Sequence, residues 1–458
     1  MIRIASIAAL LTSVAALPLV AQEAAPDAGL SVDVAPQIGP AAEDEGGPLR
    51  IEITDGVVEP LAIAIAPFHG DGLAAEVQSV VEADLTGTGL FRSIDDDAFL
   101  ETRDRFDAPV GYEKWKAINA QALVTGDVSA TETEVTVRFR LFDIFSGQAL
   151  GDGMQFVTAR DDWRRAAHKM ADQIYARLTG EAPYFDSRVA FIQETGPKDA
   201  RLKRLGIMDY DGANIAWLTG DEALVLAPRF APDGKSILYT SFESGFPQIR
   251  VMDVESVTSR PLTEASDTMA FSPRYSPDGK WIVYSQDKAG NSDIWQMEPA
   301  TGTARPLIAS PAIETSPDYS PDGTQIVFES DRSGSPQLYV APADGSGEPV
   351  RISFGEGRYG TPAWSPNGDR IAFTRQEGES FHIGVMRADG SEETMLTESF
   401  LDEGPTWAPN GRVVMFTRVT PGGDGEPRLH SVDITGRNMR PLDLDFAASD
   451  PAWGPLLP

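Results

Sequence analysis

Residues 275–287 read YSPDGKWIVYSQD, a turn signal, Pro277-Asp278-Gly279, followed by alternating and β-branched apolar residues. Close variants occur four more times: PRFAPDGKSILYTS, PDYSPDGTQIVFES, PAWSPNGDRIAFTR and PTWAPNGRVVMFTR. The turn glycines Gly234, Gly279, Gly323, Gly368 and Gly411 lie 45, 44, 45 and 43 residues apart. Each copy continues into a second pair of strand-like segments, such as QIRVMDV and SRPLT. Four short strands per ~40–45 residues is the period of a β-propeller blade. The Pro-Asp-Gly or Pro-Asn-Gly is read as a hairpin turn. Gly accepts the positive φ, Asp or Asn bonds its own backbone, and Pro presets the entry. An aromatic residue precedes each proline by two: Phe230, Tyr275, Tyr319, Trp364 and Trp407. A large ring at that position is predicted to pack between adjacent blades.

A sixth copy, DPAWGPLLP, matches the phrase as far as Trp453-Gly454-Pro455 and then the chain stops. Its continuation lies elsewhere: RVAFIQE at 188–194 resembles RIAFTRQ at 370–376, and LGIMDYDGANIAWLT at 205–219 resembles the closing strand pairs. A ring of sheets left open would expose two unpaired edges. The C-terminal strand is therefore predicted to join the first blade, giving six blades over residues 183–458.

Upstream the texture differs. Residues 1–21 read as a secretory signal, with Arg3 followed by an apolar run to Val20. No cysteine follows it, so no lipid anchor is expected. Residues 22–48 contain no aromatic, Lys or Arg and are rich in Ala, Pro and acids, the composition of a disordered tether. As a coil it would span about 30 Å. Residues 49–182 alternate strand and helix patterns, predicting a small α/β domain. Its clearest helix is DDWRRAAHKMADQIYARLTG, where Trp163, Ala167, Met170, Ile174 and Leu178 form one stripe, an Asp caps the start and Gly180 the end.

The formal charge of −31 becomes −32 once Arg3 leaves with the signal, and such a surface repels nucleic acid and anionic membranes. With no Cys, thiol nucleophiles and thiolate metal sites are excluded. His69, His168, His382 and His430 are scattered without metal-ligand spacing, and there is no G-x-S-x-G elbow. DYDGAN at 209–214 lacks the later ligands of a calcium loop and reads as a β-turn. No catalytic, cofactor or metal residues are assigned. A hydrolase or lyase, or a sugar- or peptide-binding propeller, would be the alternatives. The loops joining blades carry Met269, Phe271, Ile313, Tyr359 and Phe400 among polar residues, which points to a protein partner.

From Leu49 onward the chain resembles the TolB family of the Tol–Pal system, most specifically in WRRAAHKMADQIYARLTGEAPYF, SFLDEGPTWAPNG and the closing PAWGP. The resemblance implies a periplasmic, non-enzymatic adaptor, monomeric by itself. It would bind the lipoprotein Pal at the propeller loop face and TolA through an N-terminal arm, supporting outer-membrane integrity and division. The arm maps onto Leu49, Arg50, Ile51, Glu52, Ile53, Thr54, Asp55, Gly56 and Val57. The Pal face maps onto Met269, Ala270, Phe271, Ile313, Glu314, Thr315, Arg358, Tyr359, Leu401, Asp402 and Glu403. Two features depart from the family pattern. Met269 stands where a polar ring such as His is expected. The 27 residues before the arm are either a passive tether or themselves a TolA contact.

Overall fold

A computed structural model describes residues 31–34, 49–51, 59–70, 72–197, 200–221, 224–266, 268–422 and 425–458. The signal segment and most of 22–48 lie outside these. Six four-stranded antiparallel sheets form the propeller. In each, the phrase of the repeat supplies the first two strands, as in Met269–Tyr275 and Ile282–Lys288, followed by Asn291–Met297 and Ala304–Ile308. The turns behave as read: Gly234, Gly279, Gly323, Gly368 and Gly411 have φ of +66 to +79°. Asp233, Asp278, Asp322 and Asn410 accept the N–H two residues on.

Blade one closes the ring from both chain ends. Ala447–Leu456 pairs with Ser187–Thr195, which continues into Leu202–Asp209 and Ala216–Trp217. The second strand of each blade is apolar on both faces because it is sandwiched. Ile237 and Tyr239 join a core with blade one, while Leu238 between them joins a core with blade three. The predicted aromatics sit in these seams: Tyr319, Trp364 and Trp407 are each buried in a cluster shared by two blades.

A second periodic device lies one step earlier in the phrase. The residue before the first proline of every inner strand has positive φ: Ala227, Ser272, Ser316, Thr361, Gly404 and Asp450, at +44 to +64°. The strand bulges at each of these points. Proline is tolerated there because the inner edge faces the channel and needs no ladder donor. The positive φ costs about 1–2 kcal/mol where the residue is not glycine, and at three of the seams its N–H is held by a hydroxyl of the preceding blade. Ser316 N–H donates to Ser285 Oγ (3.0 Å), Gly404 to Thr374 Oγ1 (3.3 Å) and Asp450 to Thr417 Oγ1 (3.0 Å). At the closing seam the matching position is Ile192, which has no hydroxyl. There Asp450 Oδ2 accepts the Ala227 N–H instead, at 3.2 Å.

The N-terminal domain is one sheet, ordered Ser31–Val34, Met154–Ala159, Glu134–Asp143, Ala122–Ala130, Leu61–Ile65, Phe91–Ser93. Helices α1 (Leu73–Gly87) and α3 (Trp163–Thr179) cover one face. The short α2 (Tyr112–Ala117) covers the other through buried Trp115. Ala167, Met170, Ile174 and Leu178 are fully buried, as the stripe predicts, and Gly180 ends α3 at φ +75°. Asp162 occupies the N-cap position without making a capping bond. One reading is corrected: 22–48 is not structureless throughout, since Ser31–Val34 pairs antiparallel with Met154–Ala159. The open edge of that strand offers a ladder of unpaired backbone groups, which the four-residue segment SVDV satisfies.

Candidate partner-binding faces

At the end of the propeller where blades connect, the eleven predicted Pal-face residues separate into two groups. Met269, Ile313, Arg358 and Glu403 are exposed, and Phe271, Thr315 and Leu401 are partly so. Ala270, Glu314, Tyr359 and Asp402 are buried, and this corrects their reading as contact residues. Asp402, second in its inner strand, lies opposite Arg418, which grips it through Nε (2.7 Å) and Nη2 (2.6 Å), and Thr397 Oγ1 donates to it at 2.6 Å. Glu314 accepts from Arg332 Nη2 (2.8 Å) and Ser310 Oγ (2.7 Å). The Tyr359 hydroxyl donates to Glu393 Oε1 at 2.7 Å, beneath the Arg375 guanidinium. These pairs stiffen the loop bases.

Above them the apolar side chains point outward. Besides Met269 and Ile313, Phe400 is 51% exposed, Phe246 is exposed in a loop between second and third strands, and Phe354 is 71% exposed. Phe246 and Phe354 were not singled out from the sequence. Both lie in loops of the two sets that share this end, FESGFP and SFGEGR, which is the signal that could have found them.

The start of the arm lies against the C-terminal end of α3. Ile51 N–H donates to Leu178 O at 2.7 Å, and its side chain is buried in the main cluster. Arg50 Nε donates to Thr179 O at 3.2 Å, a cation at the negative end of the helix dipole. Its guanidinium lies over Gly180, where a Cβ would meet Nη2 at 1.7 Å. Glu52, Ile53, Thr54, Asp55, Gly56 and Val57 lie outside the described residues.

Family models match twice: the TolB amino-terminal domain over 49–150 and the TolB beta propeller domain over 175–457. The Tol-Pal system protein TolB of Jannaschia sp. is 63% identical over 418 residues, covering 90% of this chain and 94% of that protein. That of Roseobacter denitrificans is 59% identical over 422 residues, covering 91% and 95%. The crystal structure of TolB from Acinetobacter baumannii superposes with a TM-score of 0.75 at 27% identity, over 89% of this chain and all of that one. The chain belongs to the TolB family.

In this TolB chain the two domains share one core. Tyr175 of α3 meets Tyr184 and Phe185 of the connecting segment, and these meet Tyr210 and Trp453 of blade one. Asp172 of α3 holds the connection by accepting the backbone N–H groups of Tyr184, Phe185 and Asp186 at 2.8, 2.8 and 3.0 Å. The last residue is tied in as well, since Arg165 and Lys169 donate to the Pro458 carbonyl.

Sequence spacing gave no hint of the polar cluster at this junction. His168 Nδ1 lies 2.8 Å from Asp84 Oδ2 of α1, whose other oxygen accepts the Tyr210 hydroxyl at 2.6 Å. Asp211 Oδ2 lies 4.0 Å from His168 Nε2 and is paired with Arg164. Burial pulls the imidazole pKa down, but Asp84, Asp211 and Asp209 outweigh it and hold it at about 9. His168 is thus a buried imidazolium between carboxylates from both domains. The DYDGAN turn, read as a β-turn, is one, with Gly212 at φ +93°. Its acids serve the junction.

Proposed function

We propose that this chain is a periplasmic, non-enzymatic adaptor of the Tol–Pal system that binds Pal at the propeller loop end and TolA through its N-terminal arm. The observation that carries the reading is the set of outward apolar residues, Met269, Ile313, Phe354 and Phe400, on loops anchored by buried ion pairs. Relatives about 60% identical over nine-tenths of the chain, each named Tol-Pal system protein TolB, supply the partner system. Exposed apolar side chains over a rigid polar base suit a preformed protein contact. The arm begins docked at Ile51 and can pass between that state and a partner's sheet edge. A bias of about 1–3 kcal/mol between the two suffices to couple the partners. Such an adaptor would serve outer-membrane integrity and constriction during division.

Titration calorimetry of residues 22–458 with the soluble domain of Pal tests the reading. The expected result is a stoichiometric complex, and absence of heat and co-elution sinks it. Deleting 49–57 is expected to abolish TolA binding while leaving Pal binding intact or stronger. Unchanged TolA affinity would move that contact to residues 22–48.

A further inference from the structure

The inner strands line a central channel, and at its turn end they surround a cavity of about 240 Å³. The residue after five of the six bulge prolines lines it, in ring order Arg229, Arg274, Asp318, Ala363 and Thr406. Trp364, Trp407 and Trp453, with Pro366, Pro409 and Pro455, complete the wall. One side therefore presents two guanidinia and one carboxylate, and the other is aromatic and apolar.

The charges do not balance. Asp318 is engaged by Arg274 Nε at 3.4 Å and by the backbone N–H groups of Trp364 (2.7 Å) and Tyr319 (3.1 Å). Asp450, farther along the channel, is engaged by Ala227 N–H. Arg229 donates one Nη1 bond to the Pro228 carbonyl, and among the described residues no carboxylate oxygen lies within 4 Å of it. The three tryptophan N–H groups are occupied by Gly368 O, Ala363 O and Ser187 Oγ, so the rings offer the cavity their apolar surface. Arg229 is thus a half-buried cation beside a second arginine, with no carboxylate in contact among the described residues. Burial first, and Arg274 second, pull its pKa down to about 9, against the weaker attraction of Asp450 and Asp318. In a chain of net charge −31, a locally positive, aromatic-walled cavity is out of keeping with the remaining surface.

We propose that the turn end of the channel is a binding site for a carboxylate carried on an apolar, planar body, with Arg229 and Arg274 receiving the carboxylate and the tryptophan-proline wall receiving the body. A guanidinium pairs with a carboxylate through two parallel N–H bonds, and Arg229 has donors to spare. The volume corresponds to about eight waters at ~30 Å³ each, room for one ring and its acid group. The ligand is either a small aromatic acid or the C-terminal residue of a peptide, since both present this chemistry. The site lies at the opposite end of the channel from the loops proposed for Pal, so it stands or falls separately from that reading.

The test is titration of residues 22–458 with phenylacetate, phenylacetamide, inorganic sulfate and the peptide Ala-Ala-Ala-Phe, as free acid and as amide. Calorimetry and tryptophan fluorescence are the readouts. Saturable binding of phenylacetate, at least tenfold weaker for phenylacetamide and sulfate and lost in Arg229→Gln and Arg274→Gln, is expected. A free-acid peptide that binds while phenylacetate does not assigns the site to chain termini, and the converse assigns it to small acids. Neither binding, or binding undiminished in both variants or equal for acid and amide, overturns the proposal. Arg229→Gln removes an uncompensated cation and is expected to melt no lower than the parent, which keeps the variant informative.

Discussion

The domain junction and the loop end of the propeller are built by opposite rules. At the junction every large ring is inside: Tyr175, Tyr184, Phe185, Tyr210 and Trp453 are buried in one core spanning both domains. At the loop end the order is inverted. Carboxylates Glu314 and Asp402 are fully buried and paired with arginine, while Phe354 and Phe400 stand in solvent. Apolar burial is non-directional and favours cohesion, whereas a buried bidentate ion pair adds little net stability but fixes geometry. The junction therefore welds the closing blade to the N-terminal domain, and the loop end is a stiff base carrying exposed apolar side chains, the surface proposed above for Pal.

The strongest test removes the weld. Truncation before Ala447 strips Ser187–Thr195 of its inner partner and takes Trp453 from the shared core. Loss of a cooperative melting transition is expected, with aggregation through the opened edge. Trp453→Ala alone keeps the strand and is expected to cost about 3–5 kcal/mol. A truncated chain that still melted cooperatively near the parent would show that five blades and the N-terminal domain are self-sufficient, and the junction would lose its special status.

Next in size is the charge inside the weld. His168 faces Asp84 from α1, Asp209, Tyr210 and Asp211 from blade one, and Arg164 from its own helix. Its folded pKa of about 9 exceeds the free value of 6.5. The imidazolium's contribution is thus complete below about pH 6.5 and is lost as pH rises through about 9, on the order of a few kcal/mol. Melting temperature should fall across that window in the parent and stay nearly flat in His168→Gln. Equal slopes in the two proteins would mean that the junction is held by its aromatic core alone.

These regions also differ in how far the sequence discloses them. The propeller is legible because five turns of Pro-Asp/Asn-Gly recur at constant spacing, and the ring closure because the sixth copy stops at Trp453-Gly454-Pro455. The bulge is written as plainly, in the dipeptides Ala227-Pro228 through Asp450-Pro451. Its support by a hydroxyl of the preceding blade, made at three of the seams, crosses about thirty residues and has no local signature. Ser31–Val34 is hidden for a similar reason: SVDV becomes a strand only because Met154–Ala159 leaves an edge beside it. Residue type misplaced Glu314 and Asp402 at the surface. The arginines that bury them, Arg332 and Arg418, lie 18 and 16 residues on, reachable only by laying out the hairpin register. His168 pairs with Asp84 over 84 residues and between helices, beyond any spacing rule.

The smallest stability effect belongs to the loop end, and there the comparison becomes sharpest. Phe354 is mostly exposed, with the Arg351 guanidinium 5.2 Å from its ring centre, so Phe354→Ser should change stability by less than about 0.5 kcal/mol. Asp402→Ala, a few residues from Phe400, instead leaves Arg418 and Thr397 without their acceptor and should lower stability by about 3 kcal/mol. If the stiff base and its exposed apolar side chains are separate devices, the two variants must part company in a paired measurement. Phe354→Ser should weaken Pal in calorimetry by tenfold or more with an unchanged melting curve. Asp402→Ala should lower the melting temperature and weaken Pal only as far as the loop loosens, an effect that cooling reduces. Equal losses of affinity at low temperature would mean that the buried carboxylate reaches the partner after all, and the inversion at this end would be a matter of conformation rather than construction.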